Sequence, residues 1–198
     1  MPTTGPVALD FTYPLKGKTA LVTGAASGIG GAIAEALDEK GVRVAVLDLD
    51  KDAAAQKAET LKEAIAVHCD VADVASVQAA VSQVAMSFGH VDILVNCAGI
   101  VDLAPAEELS LSAWQRTLDI NLTGSFLVAQ AVGRLMIARG SGRVINMASQ
   151  AGTVALNEHV AYCASKFGVI GLTQTLAAEW GKHGVTVHSI SPPVVPPA

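Results

Sequence analysis

A chain of 198 residues with 18 acidic and 13 basic side chains, a net charge of −5 and no basic run argues against a nucleic-acid partner or an anionic membrane surface. It is 51% hydrophobic but only 4% aromatic, so one domain of this length fills its core with Val, Ala, Leu and Ile, as sheets covered on both faces do. Cys69, Cys97 and Cys163 are odd in number and far apart, which speaks against a disulfide framework or a metal site. With no signal peptide and no apolar run of membrane-spanning length, a soluble, cytoplasmic protein is expected.

Residues 1–17, with Pro2, Pro6 and Pro14 and little periodicity, read as an N-terminal arm. From 18 to 198 strand and helix signals alternate as one domain. An apolar strand over 19–23 leads into a helix over 29–40, closed by Gly41. A strand over 42–47 precedes an Ala-rich helix over about 52–63, and a strand over 65–68 precedes a helix over 74–88 ending at Gly89. A fourth strand covers 91–95, one long helix about 112–138, a fifth strand 143–147, a helix about 159–182 and a sixth strand 185–190. Nearly wholly apolar strands between amphipathic helices are βαβ units. Right-handed crossovers then predict an α/β fold: a doubly wound, Rossmann-like parallel sheet of order 3-2-1-4-5-6 with helices on both faces. The proline-rich end, 191–198, continues neither a helix nor a central strand.

Between the first strand and first helix runs Thr23-Gly24-Ala25-Ala26-Ser27-Gly28-Ile29-Gly30. Small residues there let the backbone turn tightly and approach a pyrophosphate at the positive end of the helix, which marks Gly24, Ser27, Gly28, Ile29 and Gly30 as cofactor-binding. Asp48 ends the second strand, where a carboxylate can accept from a ribose 2′-hydroxyl and repel a 2′-phosphate, so NAD is favoured over NADP. The other reading of Asp48 is a helix cap shared with Asp50. Asp70 and Val71 follow the third strand, where a carboxylate could accept from the adenine amino group or cap the next helix. Asn96-Cys97-Ala98-Gly99 closes the fourth strand at the same sheet edge, as part of the site or as a structural turn.

Tyr162 and Lys166 are spaced i, i+4, hence on one helix face and roughly 6 Å apart along its axis. A fixed cation beside a phenol in a site of low dielectric favours the phenolate, which makes such a pair a proton donor and acceptor. The plainer alternative is a core tyrosine and a lysine whose head reaches water. Ser149 ends the preceding strand. Asn121 sits inside a long helix despite its poor propensity there, which by itself suggests a helix–helix hydrogen bond.

Together these residues resemble the short-chain dehydrogenase/reductase family over about 16–192. Its pattern T-G-x-x-x-G-I-G falls on Thr23, Gly24, Gly28, Ile29 and Gly30, its N-[NC]-A-G on Asn96 to Gly99, and its tetrad on Asn121, Ser149, Tyr162 and Lys166. Strings such as 13–18 and 161–166 are similar to the polyol (threitol-like) dehydrogenase branch. The resemblance implies NAD-dependent hydride transfer between a secondary alcohol and a ketone, and in that branch a polyol or sugar, with no metal. Tyr162 would be general base or acid, Lys166 its modulator and a holder of the nicotinamide ribose, Ser149 the group on the substrate oxygen, and Asn121 the holder of a relay water. Gln150, Asn157 and His159 lie between Ser149 and Tyr162 and could bind substrate hydroxyls, or be ordinary loop and cap residues. Cys97 reads as a filler beside the cofactor, Cys163 as a small core-facing helix residue, and Trp114 and Trp180 as packing or subunit-contact residues. A homo-oligomer through the two long helices is implied.

The pattern departs at the end. Pro192 is present as a cofactor contact, but Pro193 stands where the family has Gly, and Pro197 where it has a Thr for the carboxamide. The C-terminus reads as shortened, without the usual lid and seventh strand, which sets a rival expectation: a lid-less NAD-binding module with little or no turnover.

Overall fold

Five consecutive buried residues, Thr19–Thr23, form strand β1 at the centre of the sheet. The computed structural model describes residues 14–193. Most of the arm read from the sequence and the last five residues therefore lie outside the described part. Residues 14–17 are not free of the domain: Leu15 packs on the core and the Gly17 amide donates to the Gly41 carbonyl.

Helix α1 (Gly28–Glu39) leads to β2 (Arg43–Asp48), α2 (Lys51–Glu59), β3 (Ala64–His68), α3 (Val74–Phe88) and β4 (Ile93–Asn96). Then come α4 (Leu111–Leu118), a π-helical turn (Asp119–Thr123), α5 (Gly124–Arg139), β5 (Gly142–Met147), α6 (Val160–Trp180) and β6 (Val185–Ile190). All strand pairs are parallel, in the order β3-β2-β1-β4-β5-β6, as the sequence predicts.

Period-two alternation divides the core between two faces. Ala20 and Val22 of β1, with Val44 and Val46 of β2, meet Ala34 of α1 and Ala54 of α2. Leu21, Ala45 and Leu94 turn the other way, onto Val77 and Val84 of α3, Val128 and Val132 of α5 and Leu176 of α6. Placing helices on opposite faces either side of β1 is what right-handed crossovers require.

Three local features depart from expectation. The predicted second helix stops at Glu59, because Asp38 Oδ1 captures the amides of Lys62 (2.9 Å) and Glu63 (3.4 Å) and turns the chain into β3. The long helix over 111–139 is interrupted by the π turn that carries Asn121. By length and composition it is long and apolar enough to cross a membrane, contrary to expectation, yet Val128, Ala129, Val132 and Met136 bury it against the sheet. Trp180 is a packing residue: its ring lies against Gly133, where a Cβ would come within 2.5 Å of it.

Candidate active site

The carboxyl ends of β1 to β5 open onto one cleft of about 670 Å³, at the crevice where the strand order reverses. The glycine turn forms its floor. Gly24 holds φ +63°, and a Cβ there would lie 2.8 Å from the Ala98 Cα; a Cβ at Gly30 would lie 2.2 Å from the Gly24 carbonyl oxygen. These two glycines let the turn pack on the β4 end and fold α1 back onto the turn. Thr23 Oγ1 completes the joint by accepting from the amides of Cys97 (3.0 Å) and Ala98 (3.1 Å).

Helix α1 begins at Ser27 with no side-chain cap and no acidic residue in its first turn. Its leading amides thus face the cleft without an internal anion, an arrangement suited to a bound diphosphate. Asp48 Oδ2 accepts from the Ala26 amide and Oδ1 from the Asp50 amide, both at 3.1 Å. Asp48 therefore anchors the glycine turn; the cap of α2 is Asp50, which accepts from Asp52 and Ala53. An ionised carboxylate retains lone pairs for a ribose hydroxyl after these bonds. Asp70 is not a helix cap either. Asp73 caps α3, while Asp70 Oδ1 accepts from Ala72 at the cleft wall beside Val71.

At the other end stand Ser149, Tyr162, Lys166 and His159, with Ala98, Gly99 and Pro192 also lining the wall. Ser149 Oγ accepts from the Ala151 amide at 3.1 Å, in a 3-10 turn over Gln150–Gly152, and this leaves its own proton free to donate. Lys166 is buried, donates from Nζ to the Met147 carbonyl at 2.7 Å and lies 5.5 Å from the centre of the Tyr162 ring. Burial pushes its ammonium down to about 8, and the nearby Cys97 sulfur opposes part of that shift. The thiols are inert fillers: burial raises Cys97, and burial with the Asp70 charge pushes Cys69 up to about 11.

Four expected site residues lie elsewhere. Asn96 turns into the core, donating from Nδ2 to Asn146 Oδ1 (2.9 Å) and the Ser125 carbonyl (3.1 Å). Asn121 is fully buried behind the cleft. Its Oδ1 accepts from the Ile100 amide (2.8 Å), and its Nδ2 donates to the Ile100 carbonyl (2.9 Å) and Ser165 Oγ (3.1 Å), joining the π turn to α6 as the helix–helix reading anticipates. Gln150 is exposed and held by its backbone to the Pro192 carbonyl (3.0 Å). Asn157 lies with Cys163, not in the core, at a shallow depression bordered by Pro105 and Glu107. Sequence reasoning missed the apolar wall of Leu49, Ile100, Val101, Ile120 and Leu156.

A family model described as short chain dehydrogenase matches residues 18–197. The chain belongs to the short-chain dehydrogenase family. Within it, the chain is 58% identical over 193 residues to a D-threitol dehydrogenase of Mycolicibacterium smegmatis, covering 96% of this chain and 74% of that one. It is 44% identical to an NAD-dependent glycerol dehydrogenase of Listeria innocua, covering 94% and 74%. Among solved structures, an NAD⁺-bound xylitol dehydrogenase superposes with a TM-score of 0.91 at 36% identity, covering 94% and 74%. These similarities place this short-chain dehydrogenase among relatives of the polyol type.

Proposed function

We propose that this protein transfers a hydride between NAD(H) and a secondary alcohol or its ketone, a polyol or sugar, with Tyr162 as general acid and base. The observation that carries the reading is the joining of Ser149, Tyr162 and Lys166 to the glycine turn and Asp48 in one cleft. The names of the threitol and glycerol dehydrogenases support the substrate class, and the glycerol enzyme and the xylitol dehydrogenase support NAD.

The residues present fit a dinucleotide: uncapped α1 amides for the diphosphate, Asp48 for the adenosine ribose and Asp70 near the adenine end. Lys51, the nearest cation after β2 in sequence, is exposed at the start of α2, and the Asp48 carboxylate disfavours a 2′-phosphate. Bound NAD supplies the hydride acceptor. Ser149 donates to the substrate oxygen and holds it toward Tyr162. The Tyr162 phenolate oxygen takes the proton in alcohol oxidation, and the hydroxyl so formed gives it back in ketone reduction. Lys166 sets a positive charge beside the phenol ring, and Asn121 fixes the Ile100 segment and α6 on which that geometry stands.

The exposed apolar residues Leu111, Phe126, Leu135 and Phe167 on α4, α5 and α6 support a homo-oligomer through these helices. Free thiols at Cys69, Cys97 and Cys163 suit a cytoplasmic setting. Tyr162→Phe tests the chemistry: the reading expects turnover to fall by at least about a hundredfold while NADH binding, followed by fluorescence, persists. An unchanged rate removes Tyr162 from its role.

A further inference from the structure

We propose that His159 selects substrates that carry a second hydroxyl on the carbon next to the reacting one, by accepting a hydrogen bond from that hydroxyl at Nε2. The proposal rests on the oxidoreductase reading of the same cleft and assigns its preference for vicinal hydroxyls to one side chain.

The His159 ring lines the cleft with Ser149 and Tyr162. It stands edge-on to the Tyr162 ring, 6.1 Å between centres at 67°. Its Nδ1 lies 2.5 Å from the Asn157 carbonyl oxygen. A carbonyl only accepts, so in the neutral ring the proton sits on Nδ1, and Nε2 carries the lone pair. Among the described residues nothing bonds Nε2. The cleft that His159 lines also has the apolar residues Ile100, Val101, Leu156 and Pro193 in its wall. An acceptor fixed in such a wall is satisfied by a hydroxyl donor and left to water by a methylene.

The backbone holds this ring deliberately. Glu158 adopts φ +60°, an uncommon conformation for a residue with a Cβ, and one that costs about 1–3 kcal/mol unless its surroundings fix it. Here they do: the Glu158 carbonyl accepts from the Ala104 amide at 3.1 Å, and Ala104 and His159 form an isolated parallel bridge. The two loops at the substrate end are thereby tied together, with His159 at the joint. Adjacent hydroxyls of a polyol lie about 3 Å apart, a hydrogen-bond length. The proposal puts one hydroxyl on Ser149 and Tyr162 and its neighbour on Nε2, between two rings whose centres stand 6.1 Å apart.

The test compares 2,3-butanediol with 2-butanol, which share a carbon skeleton, in the unaltered protein, His159→Phe and His159→Gln. Phe keeps a flat ring against Tyr162 and removes the acceptor; Gln retains an acceptor. The ratio of kcat/KM for diol over mono-alcohol should fall about tenfold in His159→Phe, chiefly through KM, and recover in part in His159→Gln. Calorimetric titration of the diol into the protein loaded with NADH should show the same loss of affinity without turnover. Equal losses on both alcohols, or an unchanged ratio and unchanged diol affinity, overturn the role of His159. If the unaltered protein oxidises neither alcohol and forms no NADH from D-threitol or glycerol, the oxidoreductase reading falls. The calorimetric comparison then still decides for or against His159, according to whether diol binding weakens in His159→Phe.

Discussion

Replacing Lys166 by Met separates the energetic burden of the buried ammonium from its contribution to the site. Lys166 is 5% exposed, and burial brings its ammonium from 10.5 down to about 8. That difference corresponds to about 3 kcal/mol by which the folded state disfavours the charged form. Below about pH 8 both folded and unfolded chains carry the proton, and the full penalty is present. Between about 8 and 10.5 the unfolded chain binds more protons than the folded one, so stability rises with pH, at most by about 1.4 kcal/mol per pH unit. Lys166→Met abolishes this rise. At neutral pH it relieves the penalty but leaves the Met147 carbonyl without its 2.7 Å donor, which costs about 1–3 kcal/mol, so the two proteins should differ little there. The assay is urea unfolding of both proteins at several pH values from 7 upward, taken as the difference between them so that other groups cancel. The unaltered protein should gain up to about 3 kcal/mol over the variant by the alkaline end. Parallel stability curves across that range would refute the assignment of a strained, buried ammonium.

Gly30→Ala sets a methyl group 2.2 Å from the Gly24 carbonyl oxygen and should destabilise the fold by about 2 kcal/mol or more, seen as a lower Tm together with weaker NADH binding. Asp48→Ala removes both the acceptor for the Ala26 amide and the charge proposed to face the ribose. It should weaken NAD binding and narrow the preference over NADP about tenfold or more, read as the ratio of the two Kd values; equal affinities before the change contradict the assignment. Asp92, at the opposite end of the sheet, is buried, which by itself raises its carboxyl. Bonds from the Thr19 amide and Arg139, with the Arg139 and His90 charges, outweigh this and hold it below 3.8. Its stabilisation is therefore complete above the ordinary carboxylate range and lost as pH falls through the lowered value. Asp92→Asn should cost about 1–3 kcal/mol at pH 7 and flatten the acid limb of stability measured by urea unfolding.

The sheet order was legible because each strand is an apolar run between helical periods, and chirality then leaves few topologies. The glycine turn, Asp48 and Ser149 could be placed at one edge because each lies at a strand end, and Tyr162 and Lys166 because they share one face of the helix that follows Ser149. What could not be read depends on contacts distant in sequence. The π turn arises where Asn121 is held by Ile100 and Ser165, and helical periodicity carries no trace of one extra residue. Asn96 was assigned to the cofactor, but Asn146, on the neighbouring strand, draws it inward. The early end of α2 comes from Asp38, on another helix. Glu158 gave no sign of its left-handed backbone, since that preference belongs to Gly and Asn. The loop it shapes decides that His159 enters the cleft while Asn157 does not.

The central claim, that this cleft moves a hydride to NAD⁺ under control of Tyr162, is tested most directly by isotope transfer. A polyol deuterated at its secondary carbons is incubated with NAD⁺ and the protein, and the cofactor is recovered for mass spectrometry. The account predicts deuterated NADH from the unaltered protein and almost none from Tyr162→Phe, although both bind NADH. Binding of NADH without any label in it, or equal label from the two proteins, contradicts it.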